Sequence, residues 1–261
     1  MKGNPLYIIA AVLSFLFLIF MYIRINGSNE GYANQNLVIV TSVIHTNNKP
    51  LAYTDTRSVF SIQDRVAQTI NTIETARSKI PNAYIVLVEG STLTGDEEAM
   101  LKSVVDRIHY VSDDTKKYIN GSFKGLGETS QLLDFFTHCE ASQAGYQTIT
   151  KISGRYFLDD MYDFNAMPIE KFCIARDNAR MEWKFTSSYR VPGSYTSLYT
   201  NEIKRVFDKY IEYTKDNTGE LSLEAVMFNG IDDSKINYMD RYGVSGYIAV
   251  NGDLIESFRQ V

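Results

Sequence analysis

Two stretches constrain the fold of this chain more than any others: "LVIVTSVI" at residues 37–44 and "YIVLVEGS" at residues 84–91. Each is a short, nearly unbroken apolar run rich in β-branched residues, without the polar alternation of a half-exposed strand. A run of this kind reads as a strand buried on both faces, and that requires helices on both sides of its sheet. The segment between the two runs supplies one such helix. Ser61-Ile62-Gln63-Asp64 resembles a capping box, and Ile62, Val66, Ile70, Ile73, Ala76 and Ile80 follow at spacings of three and four, up to Pro81.

The alternation continues. Thr94 to Glu97 caps a helix that runs to about Val105, and residues 107–112 form a third, shorter strand. Leu132, Leu133, Phe135, Phe136 and Cys139 mark the apolar side of a helix over 128–144, and residues 146–158 read as a fourth strand. The order β-α-β-α-β-α-β predicts an α/β fold with a mostly parallel central sheet and helices on both faces. Ligands of such sheets sit at the carboxyl ends of the strands, so the tips to inspect are residues 45–57, 89–91, 112–114 and 155–163. Beyond residue 165 the pattern changes. Residues 171–191 read as antiparallel strands, 198–215 as an amphipathic helix, 220–231 as a shorter helix, and Asn251-Gly252 as the turn of a hairpin.

The 261-residue chain is long enough for one large domain with a substantial core, and its net charge of −5 gives no reason to expect nucleic acid as a partner. Cys139 and Cys173 lack the paired spacing of a zinc site and read as buried free thiols or as one disulfide, and His45, His109 and His138 are scattered. Residues 6–23 are uncharged for 18 positions. As a helix they span about 27 Å, close to the hydrocarbon thickness of a bilayer. We therefore expect a transmembrane anchor over 1–24 and a polar stem over 25–36. Asn26-Gly27-Ser28 and Asn120-Gly121-Ser122 are glycosylation sequons, relevant only if the domain is lumenal.

The missing motifs narrow the chemistry. No G-x-G-x-x-G follows the first strand, and neither a Walker A loop nor G-x-S-x-G is present. What remains is a nucleotide-binding type of fold without a glycine fingerprint. Its fourth strand leads through "KISGRYFL" into Asp159, Asp160 and Asp163.

This arrangement resembles the GT-A class of nucleotide-sugar glycosyltransferases, over residues 36–258 at the level of order and spacing. The segments "KISGRYFL", "RSVFSIQDRVAQTINTIETARSKIP" and "GVSGYIAVNG" are also similar to poorly characterised glycosyltransferase-like proteins of microbes and large viruses. The resemblance implies a Rossmann-like GT-A domain over 37–261, with a nucleotide-sugar half at 37–164 and an acceptor half at 165–261. An anchor and stem before such a domain imply a single-pass membrane protein, facing the Golgi or ER lumen in a eukaryote or sited in the inner membrane of a bacterium.

The same resemblance implies a nucleotide-sugar donor, a glycan or lipid acceptor, and Mn²⁺ or Mg²⁺ held by an acidic motif after the fourth strand. That motif is often D-x-D, whereas this chain reads Asp159-Asp160-Met161-Tyr162-Asp163, so Asp160 and then Asp163 are the candidate ligands. Arg155 is placed to make a bidentate contact to phosphate. Arg57, in the loop after the first strand, and Glu89, at the end of the second, fall where GT-A proteins hold the nucleotide. Lys124, in "KGLGE", precedes a helix start with glycines that admit close backbone approach. Glu224, inside an otherwise apolar run on the acceptor side, is the candidate base for the acceptor hydroxyl. Two other readings stay open: a tethered binding or scaffold protein on the same fold that has lost catalysis, and a different α/β enzyme acting on phosphorylated substrates.

Overall fold

Every residue of the first apolar run that enters a strand is buried. β1 (Asn36–Ser42) lies inside a sheet, with β2 (Ala83–Glu89) on one side and β4 (Thr148–Ser153) on the other, both parallel to it. β3 (Arg107–Tyr110) extends the sheet beyond β2, also in parallel. The structure, a computed structural model, describes residues 34–176, 184–216, 219 and 221–256. The expected anchor and residues 25–33 of the expected stem lie outside these. Among the described residues no helix is long and apolar enough to cross a membrane.

On the far side of β4 the sheet continues through β7 (Lys184–Pro192), β6 (Phe172–Arg176) and β8 (Ile236–Met239), giving the order β3-β2-β1-β4-β7-β6-β8. β7 runs antiparallel to both of its neighbours, and β8 pairs with β6 in parallel. The antiparallel expectation for residues 171–191 is therefore met.

One face of the sheet packs against α3 (Asp113–Ile119), α4 (Lys124–His138), α5 (Thr196–Asp216) and the short α6 (Leu223–Val226). Leu37, Ile39, Val86 and Val88 meet Ile119, Phe135, Phe136, Tyr199, Ile203 and Val226 there. The other face meets α1 (Ile62–Lys79) and α2 (Gly95–Lys102), where Val38, Val40, Ile85 and Leu87 bury Val66, Ile73, Ala76 and Leu101. Alternate residues of β1 and β2 thus feed two separate cores, which is why every position of β1 and all of β2 from Ile85 onward are buried. The fold fits a Rossmann-like GT-A domain.

Both expected caps form. The Ser61 hydroxyl accepts from Asp64 N at 3.1 Å while the Asp64 carboxylate accepts from Ser61 N at 3.1 Å. Thr94 and Glu97 repeat the arrangement. Cys139 and Cys173 are free and buried.

Three elements differ from the sequence-based expectation. α3 occupies residues that read as a strand tip followed by loop; Ser112 caps it, its hydroxyl accepting from Thr115 N at 3.3 Å. The next helix, α4, starts at Lys124, four residues earlier than expected, and ends at His138. The expected fourth strand is two strands. At Gly154-Arg155 the chain leaves the large sheet, and β5 (Tyr156–Leu158) pairs antiparallel with β9 (Val244–Tyr247). β9 in turn pairs with β10 (Leu254–Ile255) across the expected hairpin, where Gly252 has φ +80°.

Candidate functional site

β1 leads to β2 and β3 on one side, while β4 lies on its other side, so the direction of the sheet reverses between β1 and β4. A cleft opens at the carboxyl ends of these two strands, where such a reversal favours a crevice. Ser42 and Val43 end one wall, Ser153, Gly154 and Arg155 the other, and Gly127, Glu128 and Gln131 of α4 form the floor. The loop after β1 and Ala249 close the top. The cleft encloses about 100 Å³, and about 820 Å³ when the solvent at its open mouth is included.

Its charge is one-sided. Arg57, Arg65, Lys124 and Arg155 line it, against the single carboxylate of Glu128. Two of the four cations are committed to protein. Arg57 donates from Nε to Lys49 O at 3.1 Å, from Nη1 to Ile119 O at 2.9 Å and from Nη2 to Gly121 O, so it ties the loop to the carboxyl end of α3, where a cation is favoured. Arg65 is buried and donates to Val43 O, Ile44 O and the Ser58 hydroxyl. Burial, with Arg155 nearby, brings its pKa down to about 10.

The other two cations are open. Arg155 is half-buried and spends only Nε, on Tyr247 O at 3.4 Å, leaving its terminal fork without a partner among the described residues. Lys124 has no hydrogen bond or ion pair among the described residues. Its side chain reaches water at the mouth, yet surrounding protein lowers its pKa, and the charge of Arg155 lowers it further.

Under the floor lies an ion pair that the sequence reading did not single out. Lys151 of β4 is 1% exposed and its ammonium donates to the Glu128 carboxylate, to Ser153 Oγ at 2.8 Å and to Thr186 O at 2.9 Å. Ser153 Oγ also donates to Glu128 Oε1 at 3.0 Å. Burial would raise the Glu128 pKa; Lys151 and Lys124 outweigh it and hold the carboxyl below the usual range. The signal was available: a lysine inside the buried run "TITKIS" must find an acid.

The remaining expected residues lie elsewhere. Glu89 is fully buried behind the cleft wall, where Oε1 accepts from Ile44 N at 3.0 Å and Ser91 N at 2.8 Å. Burial pushes its pKa up, and it fastens the end of β1 to the end of β2. Glu224 is half-buried, accepts from Thr186 Oγ1 at 3.0 Å and Ser222 Oγ at 2.5 Å, and is close enough to Lys124 for their charges to attract. The glycines of "KGLGE" are the first turn of α4, not a loop. A Cβ on Gly125 would overlap the Tyr210 hydroxyl of α5, so that glycine serves helix packing.

Asp160 and Asp163 are not brought to the cleft. After Gly154 the chain runs down one face of α1. Thr69 Oγ1 donates to Gly154 O at 3.2 Å, Thr72 Oγ1 to Tyr156 O at 2.6 Å, Leu158 N to Thr75 Oγ1 at 3.2 Å, and Asp160 meets Lys79 at 3.5 Å. Ten residues of helix separate Thr69 from Lys79, which puts Asp160 about 15 Å down the helix from Gly154. Asp160 is fully exposed, and Asp163 accepts from Asn165 N at 2.9 Å and Ala166 N at 3.2 Å in a turn. Among the described residues no group of three His, Cys, Asp or Glu side chains is placed to hold a metal. The residues of the cleft do not fit a divalent cation, because its single carboxylate is already held by Lys151.

No family model matches the sequence, and no curated protein does. Among solved structures, the chain is similar to the galactosyltransferase LgtC in complex with donor and acceptor sugar analogs, at 7% identity and TM-score 0.46, over 77% of this chain and 72% of that one. It is similar to the glycosyltransferase GlyE of Streptococcus pneumoniae TIGR4 at 8% identity and TM-score 0.46, over 79% of this chain and 45% of that one. It is also similar to the apo form of mouse xyloside xylosyltransferase 1, at 10% identity and TM-score 0.40, over 79% and 84%.

Proposed function

We propose that the chain is a glycosyltransferase that binds a nucleotide-sugar donor in the cleft between β1 and β4 and moves the sugar to a glycan or lipid acceptor. The observation that carries this reading is the pair of uncommitted cations, Lys124 and Arg155, at the carboxyl ends of parallel strands. A diphosphate is the ligand chemistry that two such groups in one crevice favour. Arg57 and Arg65 shape the loop around it, and Gln131, donating to Ser42 O at 2.8 Å, fixes the floor.

In the reaction the bond between the sugar C1 and the diphosphate oxygen breaks, and its electron pair leaves with the nucleoside diphosphate. The acceptor oxygen bonds to C1, and its proton passes to Glu224. The N-terminal apolar segment anchors the domain to a membrane in this reading.

The displaced acids favour a second reading, a protein that binds nucleotide sugars without turning them over. Incubation of the purified protein with UDP-, GDP- and CMP-sugars and a mixed glycan and lipid acceptor pool separates the two. The transferase reading expects release of one nucleotide that depends on acceptor, and Glu224→Gln lowers that rate at least about 100-fold while nucleotide binding persists. Binding without acceptor-dependent release would sink it in favour of the second reading.

A further inference from the structure

A nucleoside diphosphate leaves a sugar with extra negative charge, and that charge has to be met where it develops. A divalent cation meets it only where carboxylates hold the ion beside the diphosphate. In this chain the acids after β5 are turned away along α1, and Asp160 ends beside Lys79 at the far end of that helix. The one carboxylate in the cleft, Glu128, is paired with Lys151. Lys124 and the terminal fork of Arg155 meanwhile line the same cleft with hydrogen-bond donors that no acceptor takes among the described residues, close enough for their charges to repel, while Glu128 and Glu224 offset the repulsion at Lys124 only in part.

We propose that Lys124 and Arg155 themselves neutralise the departing diphosphate, so that the transfer runs without a divalent metal. This rests on the transferase reading above. The Nε contact of Arg155 to Tyr247 O orients the guanidinium and leaves both terminal nitrogens for a bidentate contact to phosphate oxygens. Lys124, on the first turn of α4, supplies the second charge. The acids at 160 and 163 are left with a structural role: one pairs with α1, the other closes a turn.

The test is calorimetric titration of the full-length protein, in detergent, with UDP, GDP, CDP and inorganic pyrophosphate, each in EDTA and again in MnCl₂. The inference expects one nucleoside diphosphate to bind in EDTA, with an affinity that Mn²⁺ changes less than about twofold. Lys124→Ala and Arg155→Ala should each weaken it about tenfold or more, while Lys124→Arg retains most of it and the double variant Asp160→Asn/Asp163→Asn binds as the parent does. A cooperative melt of each variant, recorded in parallel, keeps misfolding from counting as lost binding. Binding that appears only with Mn²⁺, or that disappears in the double Asp variant, would overturn the metal-free mechanism and leave the transferase reading standing. No binding of any nucleotide in either buffer, by protein that melts cooperatively, would overturn both.

Discussion

At the scale of single residues, the cleft shows how differently four cations can be used. Arg57 and Arg65 point their donors at backbone carbonyls and hold the loop after β1, whereas Lys124 and the terminal nitrogens of Arg155 have no acceptor among the described residues. Sequence position alone treats all four alike, because two of the three carbonyls that Arg57 meets belong to α3 and the turn after it, more than sixty residues away. Lys151 is the clearest case of a residue whose type announced its role. It is buried in β4, so removing its charge strands Glu128. Lys151→Met should destabilise the protein by about 3–5 kcal/mol, read from urea denaturation, and the double variant Lys151→Met/Glu128→Leu should recover most of the loss. Equal stability of the single variant and the parent would show that the pair carries no structural weight.

At the scale of elements, the junction of β3, α3 and α4 depends on Asp134. Its carboxylate accepts from Ser112 N at 3.0 Å, Ser112 Oγ at 2.6 Å and Thr115 Oγ1 at 2.8 Å, and pairs with His109 at 2.8 Å. Burial would raise its pKa, but the hydrogen bonds from Ser112, His109 and Thr115 outweigh it and bring the group from 3.8 to about 2. A carboxyl with a depressed folded-state pKa stabilises the fold above its unfolded value and loses that contribution as pH falls through the folded value. The stability advantage of the parent over Asp134→Asn should therefore be complete at pH 6 and shrink between about pH 4 and pH 2. An advantage that stays constant across that window, in denaturant titrations, would refute the assignment. At pH 7, Asp134→Ala should cost about 1–3 kcal/mol, because it leaves the buried Thr115 hydroxyl and the donors of Ser112 and His109 without their acceptor.

The molecule as a whole carries a net charge of −5, yet its cleft presents four cations and one carboxylate. An anionic ligand is repelled by the average surface and attracted by the site, so binding depends on short-range charge contacts that salt screens. The affinity for the preferred nucleoside diphosphate should fall about three- to tenfold between 0.05 and 0.5 M NaCl. The slope should flatten in Arg155→Ala, measured by the same titration. An affinity indifferent to salt would place the ligand's phosphates away from Lys124 and Arg155.

The alternation of buried strands and amphipathic helices, the parallel half of the sheet, both capping boxes and the Asn251-Gly252 hairpin were legible in the amino acids alone. Each rests on local periodicity or on a contact within a few residues, which a linear chain displays directly. Lys124 and Arg155 line the cleft at the carboxyl ends of the strands, the region their sequence positions pointed to. The path of the chain after Gly154, by contrast, depends on contacts that form only in the folded molecule. The run "KISGRYFL" looks continuous, but Gly154 packs where a Cβ would press on Thr69 Oγ1 and Thr41 O, and the strand breaks there. Thr72 and Thr75 then draw the chain along α1, and β9, nearly ninety residues later, supplies the partner for β5. Those contacts carry the three aspartates out of the site, and they depend on surfaces that exist only after α1 and the sheet have assembled.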